Sequence, residues 1–370
     1  MQSISLCMIV KNEAEVLGRC LDSVKDVVDE IVIVDTGSTD ATKQIARQYT
    51  ERVYDFTWID DFAAARNAAF DKARCDYILW LDADDVVLPP DREALARLKR
   101  ELTGQEDVVM MNYHIAVDEN GRPGMRYWRE RLIKNHRGFR WQGAIHEAIT
   151  PSGRVVYRDI AITHRKERVT DPDRNLRIFE GIRKRGGQLN PREQYYYGRE
   201  LMDHQRYAEA MEQLKAYLEG GAGYVEDEIG ACRLLAGCYE HYGKTDLAQR
   251  MLLRTFLYAP PRAEVCCQLG KNWLDQGQLE MAVFWYELAI ACPRVSGGGF
   301  DTPDCHDYIP YLQLCVCHDR LGHRQEAERY NELAAAIRPE STSVAYNRAY
   351  FEQCRKSPCA RERTNPTPDA

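Results

Sequence analysis

At 370 residues the chain is long enough for two or three domains, and its net charge of −7 argues against a nucleic-acid partner, which would require surplus basic residues. No apolar run approaches the roughly 20 residues that cross a bilayer, and residues 1–10 lack the features of an export signal, so we expect a cytoplasmic protein without a membrane span. The 13 cysteines are spread along the chain, which favours reduced thiols in helix interiors over disulfides or a zinc site.

Strands and helices alternate over the first 165 residues or so. Residues 4–10 and 31–34 are apolar runs typical of buried strands, and apolar residues at helical spacing follow the first run. A helix is predicted over residues 41–49, with Ser38 or Thr39 as its N-cap. Asp35 ends the second strand, and Gly37 permits a tight turn near a ligand.

The strongest predicted strand covers residues 77–81 and ends in three acids, Asp82, Asp84 and Asp85. In open α/β sheets ligands bind beyond the carboxyl ends of the strands, so these acids are expected in a binding crevice. Carboxylates suit Mn²⁺ or Mg²⁺, and such a cation suits a diphosphate. The alternative is a solvated acidic turn, because so short a motif also occurs by chance.

Three further segments could reach the same crevice. Arg66 is predicted in the first turn of a helix that runs to about Cys75, where it could attract a phosphate, although an ordinary exposed charge is the alternative. Later strands are predicted over residues 108–113, 125–134 and 160–163. His146 and Glu147 follow one predicted turn, and His164 follows the last of these strands. A surface pair is the alternative for His146 and Glu147.

From residue 191 the pattern predicts helices alone. Ala210, Ala248, Ala282 and Ala327 recur at intervals of 38, 34 and 45 residues, each with a small residue twelve positions earlier. This spacing is the signature of tetratricopeptide repeats, and an inserted loop at residues 295–304 accounts for the longest interval. We therefore predict an α/β domain over residues 1–170, a helical linker over 171–190, tetratricopeptide-like repeats over 191–354 and a disordered tail over 355–370.

Five motifs in the first domain resemble those of family-2 glycosyltransferases with the GT-A fold, and they occur in that family's order. They are SLCMIVKNE at residues 5–13, VDTGSTDAT at 34–42, DFAAARN at 61–67, LDADD at 81–85 and GAIHE at 143–147. The resemblance implies a Rossmann-like, mostly parallel sheet. Fusion to helical repeats is similar to the branch that includes bacterial peptide S-glycosyltransferases, which place sugars on cysteine or serine.

The resemblance also implies roles for individual residues. Asp84 would bind Mn²⁺ or Mg²⁺, His146 or His164 would complete the metal site, and Glu147 would be the catalytic base. The nucleotide-sugar site would be lined by Val10, Lys11, Asn12, Glu13, Asp35, Gly37, Arg66, Asp82 and Ala83, with Arg66 on the diphosphate.

The resulting prediction is an inverting, metal-dependent transferase that moves a hexose or N-acetylhexosamine from a UDP-sugar to an acceptor, with a peptide or protein as the expected acceptor. The helical half would select that acceptor, or would stabilise the enzyme or a homodimer. Three alternatives stay open: a glycan or lipopolysaccharide acceptor, a nucleotidyltransferase, and a repeat scaffold with an inactive GT-A domain. The second is disfavoured because residues 11–13 lack a glycine-rich triphosphate loop, and the third because Arg66, Asp82 and Asp84 are intact.

Overall fold

The computed structural model describes residues 1–165, 171–221, 223–294 and 299–356, and the chain forms two compact units. The first unit contains Met1–Ala259 and the described residues of Val295–Thr302; the second contains Pro260–Arg294 and the described residues of Pro303–Ala370. This division differs from the predicted limits at residues 170 and 190. Leu176, Phe179 and Tyr196 pack with Ile145 in one buried cluster, so the first helices share a core with the preceding domain.

The first unit is built on an eight-stranded mixed sheet. Its strands are β1 (Ile4–Val10), β2 (Glu30–Asp35), β3 (Val53–Asp55), β4 (Tyr77–Trp80), β5 (Asp85–Val86), β6 (Val108–Val117), β7 (Pro123–Lys134) and β8 (Val155–His164). Their order across the sheet is β3-β2-β1-β4-β7-β6-β8-β5. The first four strands in this order are parallel, and β7 enters antiparallel between β4 and β6. The predicted α/β fold is confirmed.

Apolar residues cover both faces of the sheet, as expected of strands that are apolar throughout. Leu6 and Leu79 pack in a cluster with α1 (Leu17–Val24) and α4 (Pro89–Glu101), whereas Cys7 and Ile78 pack in another with α3 (Phe62–Phe70). Neighbouring residues of one strand point to opposite faces, so β1 and β4 form the middle layer. The carboxyl ends of β1, β2 and β4 meet at one edge of the sheet.

The second predicted helix is shorter than expected and begins differently. α2 spans Thr42–Ala46, its N-cap is Ala41, and neither Ser38 nor Thr39 caps it. Ser38 Oγ instead accepts a hydrogen bond from Asn12 N at 2.9 Å. Short polar side chains can bind backbone groups outside a helix as readily as they cap one, and here the neighbouring loop provides the donor.

Arg66 also lies in a different place from the one predicted. α3 begins after Asp61, whose side chain accepts a hydrogen bond from Ala64 N, and it ends at Phe70 rather than near Cys75. Arg66 is therefore in the second turn of α3, and two N–H groups of the first turn, those of Phe62 and Ala64, already donate to Ala144 O and Asp61 Oδ1. The predicted position in the first turn is thus wrong, and the predicted contact of Arg66 with a phosphate stays a prediction.

The rest of the described chain is helical. The helices of the first unit are α5 (Arg174–Lys184), α6 (Pro191–Asp203), α7 (Tyr207–Gly220), α8 (Val225–His241) and α9 (Thr245–Arg254). Those of the second are α10 (Ala263–Asp275), α11 (Leu279–Ala291), α12 (Tyr308–Arg320), α13 (Arg324–Ile337) and α14 (Thr342–Lys356). The predicted helical linker contains α5, and residues 357–370 of the predicted tail lie outside the described residues.

The helices pair as the repeat pattern predicts. The four repeated alanines are fully buried, each in the second helix of its pair, α7, α9, α11 or α13. A Cβ atom on Gly198 would lie 2.8 Å from Leu214 of the paired helix, and one on Gly270 would lie 2.9 Å from Tyr286. Small residues are therefore needed where the two helices of a pair cross, and the tetratricopeptide-like architecture is confirmed.

Part of the predicted inserted loop contacts the sheet. Asp301 and Arg126 of β7 form an antiparallel bridge, and Arg126 Nε donates to Asp301 Oδ2 at 2.8 Å. The rings of Phe300 and Tyr127 meet edge to face with centroids 4.7 Å apart. Residues 295–298 of this loop lie outside the described part of the chain.

Two expectations about the whole chain can be compared with the described residues. All described cysteines are free thiols, and most are buried. Across residues 1–165, 171–221, 223–294 and 299–356, no helix has both the length and the apolar character that a bilayer span requires.

Candidate active site

The acidic end of β4 is folded into a tight turn held by Asp85. Asp85 N donates to Asp82 O, and Asp82 N donates to Asp85 Oδ2, both at 3.0 Å. The Asp85 side chain is fully buried: the Tyr113 hydroxyl donates to its Oδ1 at 2.8 Å, and Arg131 Nη1 donates to its Oδ2 at 3.0 Å. Since both of its oxygens accept hydrogen bonds within the protein, Asp85 stabilises the turn, and a solvated acidic turn is not what the structure shows.

Asp84 and His164 form the more accessible part of this acidic site. β5 pairs antiparallel with β8 and places Asp85 opposite His164. His164 Nδ1 lies 3.4 Å from Asp84 Oδ1, and the ligand atoms of Asp84, Asp85 and His164 all lie within 4.8 Å of one another. Burial by itself would lower the pKa of His164, but its hydrogen bonds and charge interactions with Asp84 and Asp85 raise this pKa to about 9.

This donor set fits a divalent cation. Carboxylate oxygens suit Mn²⁺ and Mg²⁺, and an imidazole nitrogen is compatible with Mn²⁺. Asp84 and His164 would hold the ion, because the oxygens of Asp85 are already engaged. His164 would have to release its proton to become a ligand.

The structure separates His146 from this group. His146 Nε2 lies 3.0 Å from Glu200 Oε1 on α6, and the His146 ring stacks on Tyr196 with centroids 4.1 Å apart. Within the described part of the chain, the groups with metal-ligand spacing do not include His146. His146 is thus held by Glu200 and Tyr196, and the expectation that His146 or His164 completes the metal site stays a prediction.

Arg66 connects the acidic turn to Glu147. Its Nη2 donates to Asp82 Oδ1 at 2.6 Å, and its Nε donates to Glu147 Oε1 at 2.5 Å. The guanidinium carbon lies 5.1 Å from the ring centroid of Trp80 and 4.9 Å from that of Trp141, within the range of cation–π attraction. Arg66 thus orients both carboxylates, while its predicted contact with a diphosphate stays a prediction.

The charge of Arg66 also affects the protonation of its partner. Burial would raise the pKa of Asp82, but the positive charges of Arg66 and Arg131 outweigh burial and hold this pKa below its usual range. Asp82 is therefore an anion throughout the neutral range.

Glu147 reaches Arg66 through a turn with unusual backbone angles. Gly143 has φ +94° and His146 has φ +51°, both in the left-handed region. Glycine adopts such angles readily, whereas a histidine does so only at a cost in free energy. Ala144 O accepts a hydrogen bond from Phe62 N at 2.9 Å, which attaches the turn to the start of α3. Residues 66, 82 and 147 thus lie together, and the roles predicted for them stay predictions.

The ends of β1 and β2 form a second part of the site. Val10 lies opposite Asp35 in the sheet, and Asp35 is buried. Asp35 Oδ1 accepts hydrogen bonds from Gly37 N at 3.0 Å and Ser38 N at 2.9 Å. Asp35 Oδ2 is buried too, and the described residues give it no hydrogen-bond partner. A buried acceptor without a partner is costly, so this oxygen indicates where a ligand N–H or O–H could bind.

Asn12 joins the loops after these two strands. Its backbone has φ +56°, its N donates to Ser38 Oγ, and its Oδ1 accepts from Thr39 N at 2.8 Å. Glu13 N donates to Thr42 Oγ1 at 2.7 Å, and Lys11, which precedes Asn12, is exposed.

Ala83, like Val10, differs from the polar residues of the predicted nucleotide site. Its side chain is buried in the cluster that contains Leu6 and Leu79. Only the backbone of Ala83 is therefore placed to face a ligand.

Comparison with known proteins agrees with this geometry. Residues 5–164 match the model of Glycosyl transferase family 2. A TPR repeat-containing protein of Synechococcus elongatus is 32% identical over 299 residues, which cover 79% of this chain and 67% of that protein. The chain belongs to the family-2 glycosyltransferases, with tetratricopeptide-like repeats attached.

Other similar proteins cover less. The SPbeta prophage-derived glycosyltransferase SunS of Bacillus subtilis is 34% identical over 103 residues, which are 27% of this chain and 24% of SunS. A crystal structure of MamA covers 50% of this chain and 92% of MamA at 17% identity, with a TM-score of 0.37. This TM-score is too low to support a conclusion about fold or function. The tetratricopeptide-like architecture is inferred instead from the helix pairs described above.

Several residues of the glycosyltransferase domain that shape the site were not singled out from sequence. Arg131 and Tyr113 hold Asp85, and the guanidinium of Arg131 also lies 3.9 Å from the ring centroid of Trp80. Arg131 is fully buried on β7, where a charged residue in a strand is unusual. An arginine within a predicted strand was the sequence feature that could have indicated this role. Its burial can be recognised only when β7 is known to pair with β4.

Proposed function

We propose that this family-2 glycosyltransferase moves a hexose or N-acetylhexosamine from a UDP-sugar to an acceptor, with Mn²⁺ or Mg²⁺ and with inversion at the anomeric carbon. The observation that carries the proposal is the arrangement beyond the end of β4. Asp84 and His164 are candidate ligands for a cation there, and Arg66 holds Asp82 and Glu147.

The uridine part of the donor is assigned to the edge formed by β1 and β2. The unpartnered Oδ2 of Asp35 is a buried acceptor that suits the N–H of a uracil ring or a ribose hydroxyl. Asn12 and Gly37 shape the loops around it. Asp82 follows from β4, next to β1 in the sheet, and is assigned to the ribose side of the diphosphate.

The chemistry follows from one displacement. When bound, the cation would balance the negative charge that develops on the diphosphate. The bond between the anomeric carbon and the β-phosphate oxygen breaks, and its electron pair leaves with UDP. The acceptor oxygen or sulfur forms the new bond on the opposite face, which inverts the centre. Its proton passes to Glu147, whose Oε1 is held by Arg66, so Oε2 is the atom we assign to the transfer.

For the acceptor we propose a cysteine or serine side chain of a peptide. The support is the resemblance of the motifs and of the attached repeats to peptide S-glycosyltransferases, together with stacked helix pairs, which form surfaces suited to peptides. A glycan acceptor is the second candidate, and transfer of sugar to a cysteine-containing peptide distinguishes the two.

Calorimetric titration of UDP with and without Mn²⁺ tests the cation site. The parent should bind UDP at least tenfold more tightly with Mn²⁺, and Asp84→Ala should lose this difference. Asp71→Ala is a matched control, because Asp71 is an exposed acid paired with Arg140 at the surface. Equal UDP affinities in all titrations, or no UDP release from UDP-glucose, UDP-galactose or their N-acetyl forms, would refute the proposal.

A further inference from the structure

The turn that carries Glu147 is held by one face of helix α6. Arg192, Tyr196 and Glu200 are spaced four residues apart, which places them on the same side of a helix. All three contact His146. Arg192 Nε donates to the His146 carbonyl at 3.3 Å, the Tyr196 ring stacks on the imidazole at 4.1 Å, and Glu200 Oε1 accepts from Nε2 at 3.0 Å.

His146 is the residue of this turn that needs external support. Its φ of +51° is unfavourable for a side chain with a Cβ atom, and such a conformation persists only when the surroundings enforce it. Glu147 follows directly, so a change of the His146 backbone would move the Glu147 carboxylate away from Arg66.

Burying the carboxylate of Glu200 costs free energy of folding, which indicates a specific role for this residue. It is 8% exposed, and Asn175 Nδ2 also donates to its Oε1 at 2.9 Å. Burial would raise the pKa of Glu200, but its hydrogen bonds with His146 and Asn175 lower this pKa, so the group is an anion at neutral pH. A buried carboxylate that binds the imidazole fixes the direction of the ring, and with it the turn.

We infer that Glu200 is a positioning residue for Glu147, acting through His146, and that the face of α6 with Arg192, Tyr196 and Glu200 therefore supports the turn that carries Glu147. The repeats thus do more than select an acceptor: their first helix sets the geometry of the proposed base. This inference rests on the proposed function of Glu147, and its structural part, the support of the turn by Glu200, is measurable independently.

The test compares three variants in the full-length protein. Glu200→Ala removes the acceptor for His146 and Asn175, whereas Glu200→Gln keeps a carbonyl oxygen that accepts both hydrogen bonds. Glu193→Gln is the control on the same helix, because Glu193 caps the start of α6 together with Asn190. Each variant is measured for UDP release from the four UDP-sugars, for UDP affinity with Mn²⁺, and for amide hydrogen exchange at residues 143–147.

Glu200→Ala should lower kcat about 10-fold to 100-fold, the size expected for a displacement near 1 Å, and leave UDP affinity within about threefold. Exchange at residues 143–147 should accelerate in this variant alone. Glu200→Gln should restore most of kcat. In a double variant with Glu147→Gln, Glu200→Ala should cost nothing further, because the group that it positions is already absent.

Each contrary result has a distinct meaning. Parental kcat in Glu200→Ala, equal losses in the control, unchanged exchange at residues 143–147, or additive losses in the double variant would overturn the inference. If Glu147→Gln itself kept parental turnover, the proposed base would be refuted, and hydrogen exchange would still show whether Glu200 holds the turn.

Discussion

Replacement of Arg66 by alanine tests how the site is held together. The guanidinium binds Asp82 and Glu147 at the same time, at 2.6 Å and 2.5 Å. The side chains of Arg66 and Glu147 are 10% and 11% exposed, whereas that of Asp82 is 35% exposed. Arg66→Ala therefore leaves one well-buried and one partly exposed carboxylate without their cation.

The size of the effect follows from this burial. Removing one partner of a buried ion pair typically costs about 3–5 kcal/mol, because the other charge stays desolvated. Solvent screens Asp82, so the Glu147 pair dominates, and we expect a loss of about 3 kcal/mol. A lysine at position 66 keeps the charge but not the planar fork, so Arg66→Lys should recover only part of this loss.

Urea unfolding followed by tryptophan fluorescence measures the loss. Arg140→Ala is the matched control, since Arg140 forms an exposed pair with Asp71 that should contribute at most about 1 kcal/mol. In the parent, the lowered pKa of Asp82 means that its pairing stabilises the fold above its unfolded-state pKa, near 3.9. This stabilisation is lost as pH falls through the lower folded-state pKa.

In Arg66→Ala the pKa of Asp82 should instead rise towards its usual range, because the positive charge of Arg66 that lowers it is removed. The difference in stability between parent and variant should thus be larger at pH 5 than at pH 3. If Arg66→Ala were as stable as Arg140→Ala at pH 7, or if the difference grew as pH fell, Arg66 would not hold the two acids as described.

Two further substitutions address other parts of the site. Asp35→Asn should weaken UDP binding about tenfold but leave binding of inorganic pyrophosphate with Mn²⁺ unchanged, because Asp35 is assigned to the uridine; equal losses for both ligands in calorimetry would contradict this. Tyr113→Phe removes the hydroxyl that donates to Asp85 and should lower the free energy of unfolding by about 1–3 kcal/mol in urea titrations, with parental stability as the contrary result.

The strands and the acidic turn were predictable because their sequence signals are local. The apolar runs of β1, β2 and β4 are long enough to indicate strands buried on both faces, and acids or loops directly follow them. Because β2 and β4 both run parallel to β1, the residues at or just after their carboxyl ends, Asp35 and Asp82, lie at one edge of the sheet. The crossing positions of the repeats were predictable for a similar reason, since small residues recur at a fixed interval.

The partners of these residues were less predictable because they depend on contacts between distant segments. The pairing of Arg131 with Asp85 requires β7 beside β4, an antiparallel neighbour that the weak alternation of residues 125–134 does not reveal. The contact of Glu200 with His146 joins residues 54 positions apart. The repeat pattern explains why α6 is a helix. Nothing in the sequence of α6 indicates that it also supports the turn that carries Glu147.

The distribution of charge explains why Asp84 is the acid best suited to a cation. Four carboxylates lie around the turn after β4, and two guanidiniums pair with three of them. Arg66 binds Asp82 and Glu147, and Arg131 binds Asp85. Asp84 is left with His164, whose positive charge depends on a proton. A divalent cation can replace that proton and balance the remaining negative charge. Of the acids in this turn, Asp85 thus stabilises the fold, whereas Asp82 and Asp84 are the ones proposed to bind the donor and its cation.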